Sequence, residues 1–433
     1  MYSIYTKPNC PYCVKAKELL NAKGIAFIDF DANILDPKDF KELFPRATTV
    51  PQILDDETYV GGFDELVIYL AAPPSRTVFN QENKGYETGE YPLFLGDAPG
   101  FTDSIIQPYP ILDKVFQMQM SQVWNETEVS LTQDRMDILT ASPKTIDFYI
   151  QNLMYQTLAD SVASRAITGV LLEHVTNTDL ESAYNSFGLF ESIHSRCYLH
   201  IIKQTMVDPI QALRDGYANK HIVKRATPTV RCFDALANMP RDAGIEEKQE
   251  KLYLAIVALY LLESISFPAS FACTFAVAET GIIQGTGQLV ALILRDESLH
   301  SLLGREILNI ELPKVPHLQD KITKLFHEVM ECEKEWNTYL FSEGRQVMGL
   351  TPTLLSEYTN FLAGPVIKTL SIPNTSAITV DPLPYMSKYI DTSKIQIANQ
   401  ELENGTYLLN SIKAAENMSP TLKALRLKHR DFS

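Results

Sequence analysis

The sequence contains neither an internal repeat of fixed period nor a low-complexity tract, which excludes repeat architectures and a largely disordered chain. Its longest apolar run, Leu252 to Leu262, ends at Glu263 and is far too short to span a bilayer. The first ten residues show no basic region followed by an apolar stretch, so a secretory signal is not indicated. We therefore expect a cytoplasmic protein with no membrane partner.

The chain is also short of positively charged residues. It has 38 Lys and Arg residues against 53 Asp and Glu residues, which gives a formal net charge of -15. An acidic mean field repels nucleic acids and anionic lipid surfaces, so neither is an expected partner. A protein or a small molecule is expected instead.

Length and pattern predict two folded units of different class. Residues 1–72 alternate short β-type runs with helical stretches, which is typical of a small α/β unit. The proline pair in residues 73–76 cannot continue a helix and indicates a linker. Residues 77–380 begin with an irregular arm and continue as long helical segments, which predicts an all-α unit. Residues 381–433 are polar and proline-broken, which predicts a mobile C-terminal tail.

Cysteines are few, and four of the six stand alone in apolar or helical sequence, where reduced core thiols are expected: Cys197, Cys232, Cys273 and Cys332. Cys10 and Cys13 form a motif that follows a strand-like run and opens a helical stretch. Unpaired N–H groups and the helix dipole there favour a thiolate, so Cys10 is the expected nucleophile and Cys13 the resolving thiol. A zinc site is the alternative, but this part of the chain lacks a second Cys or His pair to complete four ligands.

Three motifs in this order resemble the glutaredoxin family over roughly the first 72 residues: Cys10-Pro11-Tyr12-Cys13, Thr49-Val50-Pro51 and Gly61-Gly62-Phe63-Asp64-Glu65. The resemblance implies a thioredoxin-like α/β fold with a cis-proline opposite the thiols and glutathione as the reductant. The glutathione site that it implies is formed by Lys7, Tyr12, Val50, Pro51, Gly62 and Asp64.

The helical part contains two Glu-x-x-His pairs, Glu191-Ser-Ile-His194 and Glu297-Ser-Leu-His300. The i, i+3 spacing puts both side chains of a pair on one helix face, so each pair is suited to hold one metal ion. A single pair of this kind arises by chance on surface helices, whereas two pairs in one bundle indicate a dinuclear site.

A dinuclear bundle site also needs one carboxylate from each of two further helices. Asp160 and Glu263 are the candidates, because both stand in apolar sequence, where an unpaired acid costs several kcal/mol of desolvation. Oxygen ligands together with two imidazoles suit iron or manganese better than zinc or calcium.

Tyr198 follows Glu191 by seven residues and His194 by four, so it shares their helix face and is expected within reach of the metal ions. Taken alone, an inward tyrosine is ordinarily a core residue. Here apolar residues at helical spacing around the ligands predict a pocket that excludes water from an oxidised tyrosine: Phe267, Phe271 and Ile293.

Three segments resemble the small subunit of class I ribonucleotide reductase: Glu191 to Tyr198, Ser270 to Glu279, and Arg295 to His300. The resemblance extends over about residues 77–410 and includes the 31-residue and 34-residue intervals between the acidic ligands. It implies a ferritin-like bundle in which dioxygen reacts with two reduced ions, iron, manganese or one of each, and oxidises Tyr198. It also implies a homodimer that works with a separate large subunit on ribonucleoside diphosphates.

The same resemblance implies a route for the oxidising equivalent to the large subunit. Trp124 matches the transfer tryptophan of the family, with Asp296 and His194 linking it to the metal site. Tyr407 matches the tyrosine of the tail that relays to the large subunit, and Phe432 offers an apolar anchor. The final segment is basic, whereas tails in this family are often acidic.

Pro268 should distort the helix beside Glu263, because it removes an N–H and frees the carbonyl of Ser264. We expect a kink or bulge there, and with it a Glu263 carboxylate that adopts more than one ligand geometry.

Two other functions fit parts of the pattern. A ferritin-like oxidase or metal carrier would bind two ions without a transferable radical, and it has no need of Trp124, Asp296 and Tyr407 together. A dithiol oxidoreductase with a helical docking module would not need the acids in apolar sequence. A reductase with a tethered glutaredoxin accounts for both halves, because tethering raises the local concentration of the reductant of the large subunit.

Overall fold

The computed structural model describes residues 2–44, 47–56, 58–71, 79–89, 91–240, 243–373, 375 and 378–390. It contains two compact units, and the described residues of the first end at residue 71 while those of the second begin at residue 79. The first is a small mixed α/β unit and the second is helical, which confirms the predicted fold classes.

The first unit has a four-stranded sheet in the order β2-β1-β3-β4, in which β1 pairs parallel to β2 and antiparallel to β3. Its strands and helices are β1 (Tyr2–Thr6), α1 (Pro11–Ala22), β2 (Phe27–Asp31), α2 (Pro37–Leu43), β3 (Gln52–Asp55), β4 (Thr58–Gly61) and α3 (Phe63–Ala71). A small core of Ile4, Leu20, Ile53 and Leu66 joins the sheet to α1 and α3. The sheet places the end of β1, and therefore the start of α1, next to the turn before β3.

The second unit is a bundle of long helices with short connections. Its helices are α4 (Gly85–Thr88), α5 (Pro110–Met120), α6 (Thr132–Thr140), α7 (Pro143–Gly169), α8 (Thr178–Thr205), α9 (Pro209–Ala218), α10 (Lys220–Ala237), α11 (Ile245–Leu261), α12 (Phe267–Ala278), α13 (Gln284–Glu311), α14 (Gln319–Leu340), α15 (Pro352–Thr369) and α16 (Ser387–Ile390). Short 3-10 helices cover Leu171–His174, Leu312–Lys314, Pro316–Leu318, Ser342–Gly344 and Pro384–Met386.

Buried acids of α6 fix the N-terminus of α13. Asp134 accepts hydrogen bonds from the backbone N–H groups of Gly285 (3.0 Å) and Thr286 (2.6 Å), and Asp137 accepts one from Ile283 (2.9 Å). These carboxylates satisfy donors that a helix start leaves unpaired and complement its dipole. The start of α13, three turns before its metal-ligand candidates, is therefore held firmly.

A π-helical turn, Leu262–Ser266, connects α11 to α12. The backbone N–H of Phe267 reaches back to the carbonyl of Leu262, one residue further than in an α-helix. Pro268 follows directly and has no N–H to continue the regular pattern. The predicted distortion is thus present, and Glu263 lies inside it.

The bundle extends past the predicted start of the tail at residue 381. Tyr385 Oη donates to the carbonyl of Ala272 on α12 (2.9 Å), and the ring of Tyr389 stacks on Phe275 with centroids 3.8 Å apart. Packed structure therefore reaches Ile390. The predicted linker 73–76, Tyr407 and Phe432 lie outside the described residues.

The stretch Ile245–Ala278 is long and apolar enough to cross a membrane by length and composition. Its apolar window of 18 residues has a mean hydropathy of 1.7. In the structure 89% of that apolar window is buried. This burial is what the central helix of a bundle shows.

Candidate metal centre and dithiol site

The structure brings the six predicted metal ligands together at the centre of the bundle. They are Asp160 on α7, Glu191 and His194 on α8, Glu263 in the π-helical turn, and Glu297 and His300 on α13. Each has at most 1% of its surface exposed. The site is therefore closed to bulk solvent and built on rigid helices.

Their ligand atoms form two groups of four, within each of which all atoms lie within 4.8 Å of one another. Glu191 and Glu297 belong to both groups, Asp160 and His194 complete the first, and Glu263 and His300 complete the second. His194 Nδ1 lies 3.1 Å from Glu297 Oε1, and His300 Nδ1 lies 3.0 Å from Glu191 Oε1. Glu191 and Glu297 are the residues that could serve both of two ions.

Polar atoms without a hydrogen bond concentrate in this cluster. Neither carboxylate oxygen of Asp160, Glu191 or Glu263 forms a well-aligned hydrogen bond among the described residues, and their polar contacts there are to the ligand imidazoles, such as His300 Nδ1 at 3.0 Å from Glu191 Oε1. A buried and unpaired carboxylate costs several kcal/mol, and a bound cation removes that cost. Carboxylates with imidazoles are a suitable donor set for iron and manganese, so the residues fit a dinuclear centre.

Burial also shifts the pKa values of these groups. Burial raises the pKa of Glu191 well above its usual range, and the charges of Glu297 and Glu263 raise it further. Burial would lower the pKa of His194, but Glu297, Asp160 and Asp296 together hold it well above its usual value. The metal-free cluster therefore retains protons that metal binding must displace.

Tyr198 is fully buried on α8, and its Oη has no hydrogen-bond partner among the described residues. Burial raises the pKa of this phenol well above its usual value, and the charge of Asp160 raises it further, so the group is neutral. Phe267, Phe271 and Ile293 are fully buried in the same core, and the two phenylalanine rings stack with centroids 5.7 Å apart. Tyr198 is thus enclosed in the protein core, and the carboxylates of Asp160, Glu297 and Glu191 also act on its phenol.

A chain of hydrogen bonds joins Trp124 to the ligand cluster. Trp124 Nε1 donates to Asp296 Oδ2 at 2.7 Å, and His194 Nε2 lies 3.2 Å from the same oxygen. His194 presents its other nitrogen, Nδ1, to the ligand carboxylates. One carboxylate thus connects the indole to a metal-ligand imidazole.

Sequence reasoning missed several residues at the centre. The ring of Phe187 stacks on His300 with centroids 3.6 Å apart, and its position one turn before Glu191 was an available signal. Arg295 Nη2 donates to Asp296 Oδ1 (3.2 Å) and to the carbonyl of Gln122 (2.7 Å), which fixes the acid next to the Trp124 loop. Arg295 directly precedes Asp296, so adjacency was its signal.

In the first unit, Cys10 caps α1 and is joined to Cys13 as a disulfide with Cα atoms 5.2 Å apart. Cys10 Sγ lies 3.2 Å from the backbone N of Cys13 and 3.6 Å from the carbonyl oxygen of Val50. The Val50–Pro51 peptide bond is cis. Cys10 is half-buried and Cys13 is buried, as an attacking and a resolving thiol require.

The residues assigned to glutathione differ in how deeply they are buried. Lys7, Tyr12 and Asp64 are exposed, Val50 and Gly62 are half-buried, and Pro51 is buried. The rings of Tyr12 and Phe63 have centroids 6.0 Å apart, which brings the start of α3 beside the dithiol helix. Their contact with glutathione stays a prediction.

Two family descriptions match the chain. The ribonucleotide reductase small-chain family matches residues 106–376, and the glutaredoxin family matches residues 3–60. The first match covers more than half of the sequence and the second covers the dithiol unit.

Relatives and solved structures agree with both matches. The ribonucleoside-diphosphate reductase subunit beta of Buchnera aphidicola subsp. Baizongia pistaciae is 31% identical over 366 residues, covering 78% of this chain and 96% of that protein. The subunit beta of Enterobacteria phage T4 is 27% identical over 374 residues, covering 78% and 95%.

The R2 subunit from Clostridium botulinum has the same fold, with a TM-score of 0.64 and 18% identity over 74% of this chain and 99% of that chain. The dimanganese(II)-NrdF of Streptococcus sanguinis has a TM-score of 0.57 and 17% identity over 69% of this chain and 100% of that chain. These matches decide between the functions that the sequence left open. The chain belongs to the ribonucleotide reductase small-chain family and carries a glutaredoxin domain in its N-terminal unit.

Proposed function

We propose that this chain generates and stores the radical of a class I ribonucleotide reductase on Tyr198. The observation that carries the proposal is a fully buried tyrosine, without a hydrogen-bond partner among the described residues, on the helix that supplies Glu191 and His194. Its neutral phenol, shielded by Phe267 and Phe271, meets the needs of a long-lived radical.

The six buried carboxylates and imidazoles would hold two ions, iron, manganese or one of each. When bound, such ions supply the one-electron oxidation of a neighbouring side chain at the expense of dioxygen. Glu191 and Glu297 would contribute to holding both ions, because both belong to both ligand groups. The solved Streptococcus sanguinis relative is named as a dimanganese protein, which supports manganese as one option.

Oxidation of Tyr198 removes an electron and the Oη proton. Asp160 is the charged group that acts most strongly on this phenol, and neither of its oxygens forms a well-aligned hydrogen bond among the described residues. We therefore assign the proton to the Asp160 side of the site. The apolar pocket then keeps water and reductants from the neutral radical.

Transfer to the large subunit begins at Trp124 in this proposal. Asp296 Oδ2 accepts the indole N–H and also faces His194 Nε2, so it stabilises positive charge on either ring. Arg295 binds the other oxygen, Asp296 Oδ1, and fixes the carboxylate in this orientation. Tyr407, outside the described residues, would continue the route in the tail.

Turnover with the large subunit tests the radical function. Ribonucleoside diphosphate reduction by the metal-loaded chain is expected to fall by about a thousandfold or more in Tyr198→Phe, because phenylalanine forms no comparable neutral radical. Tyr184→Phe is the control, since Tyr184 is another buried tyrosine of α8, and its turnover should stay within about twofold. Parent-like turnover in Tyr198→Phe would contradict the proposal.

The glutaredoxin unit is proposed to re-reduce the disulfide that the large subunit forms in each turnover. The Cys10 thiolate attacks that disulfide and releases one thiol, and Cys13 then attacks Cys10 Sγ and releases the second. Two glutathione molecules reduce the resulting Cys10–Cys13 disulfide and become glutathione disulfide. Tethering raises the effective concentration of this reductant to about the millimolar range.

Replacing Cys10 with serine is expected to abolish glutathione-driven turnover while leaving dithiothreitol-driven turnover intact. The reason is that serine cannot form the mixed disulfide, whereas a small dithiol reduces the large subunit directly. Turnover measured with each reductant at low protein concentration separates the two routes, and Cys332→Ser is the control. Equal loss with both reductants would show a defect elsewhere than the dithiol.

We infer that a second copy of the chain covers an exposed apolar surface of the helical unit. In the single chain, large apolar side chains are exposed on α6, in the connection after α8 and at the start of α9: Met136, Leu139, Val207 and Ile210. Large apolar side chains that are exposed in a single chain are often covered in a protein interface. Sedimentation equilibrium should give twice the chain mass of 48.8 kDa, and a monomer would contradict the inference.

We also propose that the protein acts in the cytoplasm, where glutathione is available to its N-terminal unit.

A further inference from the structure

The chain contains two tryptophans, and their surroundings carry opposite charge. Trp124 Nε1 donates to the Asp296 carboxylate. Trp336 Nε1 has no hydrogen-bond partner within the part of the chain that the structure describes, although the side chain is only 2% exposed. The guanidinium carbon of Arg225 lies 5.0 Å from the centroid of its ring. One indole faces an anion and the other faces a cation.

Arg225 also covers a tyrosine. Its Cζ lies 3.7 Å from the ring centroid of Tyr155, and the rings of Tyr155 and Trp336 have centroids 5.5 Å apart. Glu333 fixes the guanidinium by two contacts, from Nε to Oε1 at 2.8 Å and from Nη2 to Oε2 at 2.7 Å. All four side chains are buried, so this charge is poorly screened.

The cluster adjoins the metal centre from two sides. Arg225 Nη2 donates to the carbonyl of Ser266 at 2.9 Å, and Ser266 ends the π-helical turn that contains Glu263. Tyr155 precedes Asp160 by five residues on α7, and the charge of Asp160 acts on its phenol. Oxidisable side chains other than Trp124 thus lie next to residues of the metal centre.

We propose that Arg225 prevents oxidation of Tyr155 and Trp336, so that the oxidising equivalent remains on the route of Tyr198 and Trp124. Loss of an electron leaves positive charge on a ring, which a guanidinium at contact distance opposes. Glu333 contacts the Nε and Nη2 edge of the guanidinium, whereas the guanidinium carbon lies over the Tyr155 ring. The positive charge of Arg225 therefore acts on that ring more directly than the negative charge of Glu333 does. This proposal rests on the radical function proposed above.

Hydrogen bonding adds to the contrast between the two indoles. An oxidised Trp124 is stabilised by the carboxylate that accepts its N–H. An oxidised Trp336 would keep its N–H proton, because no acceptor among the described residues lies within hydrogen-bond distance of Nε1. Together with this difference in hydrogen bonding, the positive charge of Arg225 makes it a specificity-determining residue: it selects which aromatic side chain loses an electron.

The step that Arg225 suppresses has a defined electron balance. One electron would pass from Trp336 to the Tyr198 radical, which takes up a proton and returns to tyrosine. The Trp336 radical cation would add dioxygen, the resulting peroxyl radical would take a hydrogen atom from a thiol in solution, and loss of the N–H proton to water would then leave a neutral hydroperoxide on the indole. Both the stored radical and an intact core side chain would be lost.

A double variant removes both charges without leaving one unpaired. In Arg225→Met with Glu333→Gln the cation and its carboxylate partner disappear together, since removal of one alone would leave a costly buried charge. The control is Arg231→Met with Glu328→Gln, an exposed pair that joins the same two helices, α10 and α14, through contacts of 2.6 and 2.7 Å.

The test exposes the full metal-free chain to a photochemically generated one-electron oxidant in the presence of dioxygen. Peptide mass spectrometry then measures oxygen addition at Trp336 and at Trp124. We expect addition at Trp336 to rise about tenfold in the Arg225 and Glu333 variant, as a barrier lower by about 1.4 kcal/mol gives. Addition at Trp124 should not change. A Trp336 yield equal to that of the parent, or an equal rise in the control, would overturn the proposal.

Loading with ferrous iron and dioxygen separates this proposal from the radical function. The parent and the control should keep a Tyr198 signal of the same lifetime, and the Arg225 and Glu333 variant should lose its signal about tenfold faster. Equal lifetimes would overturn the role of Arg225. A parent without any tyrosyl signal would contradict the radical function, while the metal-free comparison would still decide the role of Arg225.

Discussion

Replacement of Glu297 by glutamine should abolish binding of both metal ions, whereas Glu263→Gln should remove only one. The difference follows from geometry, because Glu297 belongs to both groups of ligand atoms and Glu263 to one. An amide has one acceptor oxygen and no negative charge, so it cannot bridge two cations. Metal content after anaerobic loading and gel filtration is expected to be about two ions per chain in the parent, about one in Glu263→Gln and none in Glu297→Gln.

Glu311→Gln is the matched control for these variants. Glu311 is also a buried acid of α13, but it is bound by Tyr253 and Lys314 and lies outside the ligand groups. It should keep two ions. Equal metal content in Glu263→Gln and Glu297→Gln would show that the two sites are not connected by a shared carboxylate.

Glu263→Gln should also stabilise the metal-free protein. Burial, and then the charge of Glu297, raise the pKa of Glu263 well above its usual value. A carboxyl group with a raised pKa in the folded state costs stability as pH rises from its unfolded pKa through its folded pKa. Metal-free Glu263→Gln is therefore expected to gain about 1–4 kcal/mol over the parent at neutral pH, and nothing at pH well below 4. Urea unfolding at the two pH values measures this, and a loss of stability at neutral pH would contradict it.

Trp124→Phe is expected to separate radical storage from radical use. The variant keeps Tyr198 and all six ligands, so a stored radical should remain. Turnover with the large subunit should fall by about a hundredfold or more, because the indole that Asp296 binds is the first step of the transfer route. Radical content and turnover are measured on the same loaded sample.

Trp336→Phe is the control for Trp124→Phe, since it alters the other tryptophan of the chain. Its turnover should stay within about twofold of the parent, because Trp336 lies under Arg225 and outside the transfer route. Parent-like turnover in Trp124→Phe, or equal losses in the two variants, would count against transfer through Trp124.

The fold and most of the centre followed from sequence because their determinants are periodic. The Glu-x-x-His spacing orients Glu191 with His194 and Glu297 with His300 through local helix geometry, and no tertiary information is needed. Pro268 likewise predicted a distorted helix, because the absence of its N–H can be read from the sequence alone. The distortion in the structure is a π-helical turn.

The cluster around Arg225 could not be predicted in this way. Arg225 and Glu333 lie 108 residues apart, on helices whose other charges face solvent, so each is expected to be a surface charge. Only packing of α10 against α14 brings them together under Tyr155 and Trp336. The packing of Tyr385 and Tyr389 on α12 also gave no sequence signal, because these contacts follow no sequence period.

The most direct measurement is an electron paramagnetic resonance spectrum of the chain after ferrous iron is loaded and dioxygen is admitted. The parent and Tyr184→Phe should show a tyrosyl signal, and Tyr198→Phe should show none at equal metal content. A tyrosyl signal that persists in Tyr198→Phe would contradict the assignment of the radical. The central claim would be contradicted if the parent, fully loaded with iron and in a second sample with manganese, showed no tyrosyl signal under dioxygen in either case.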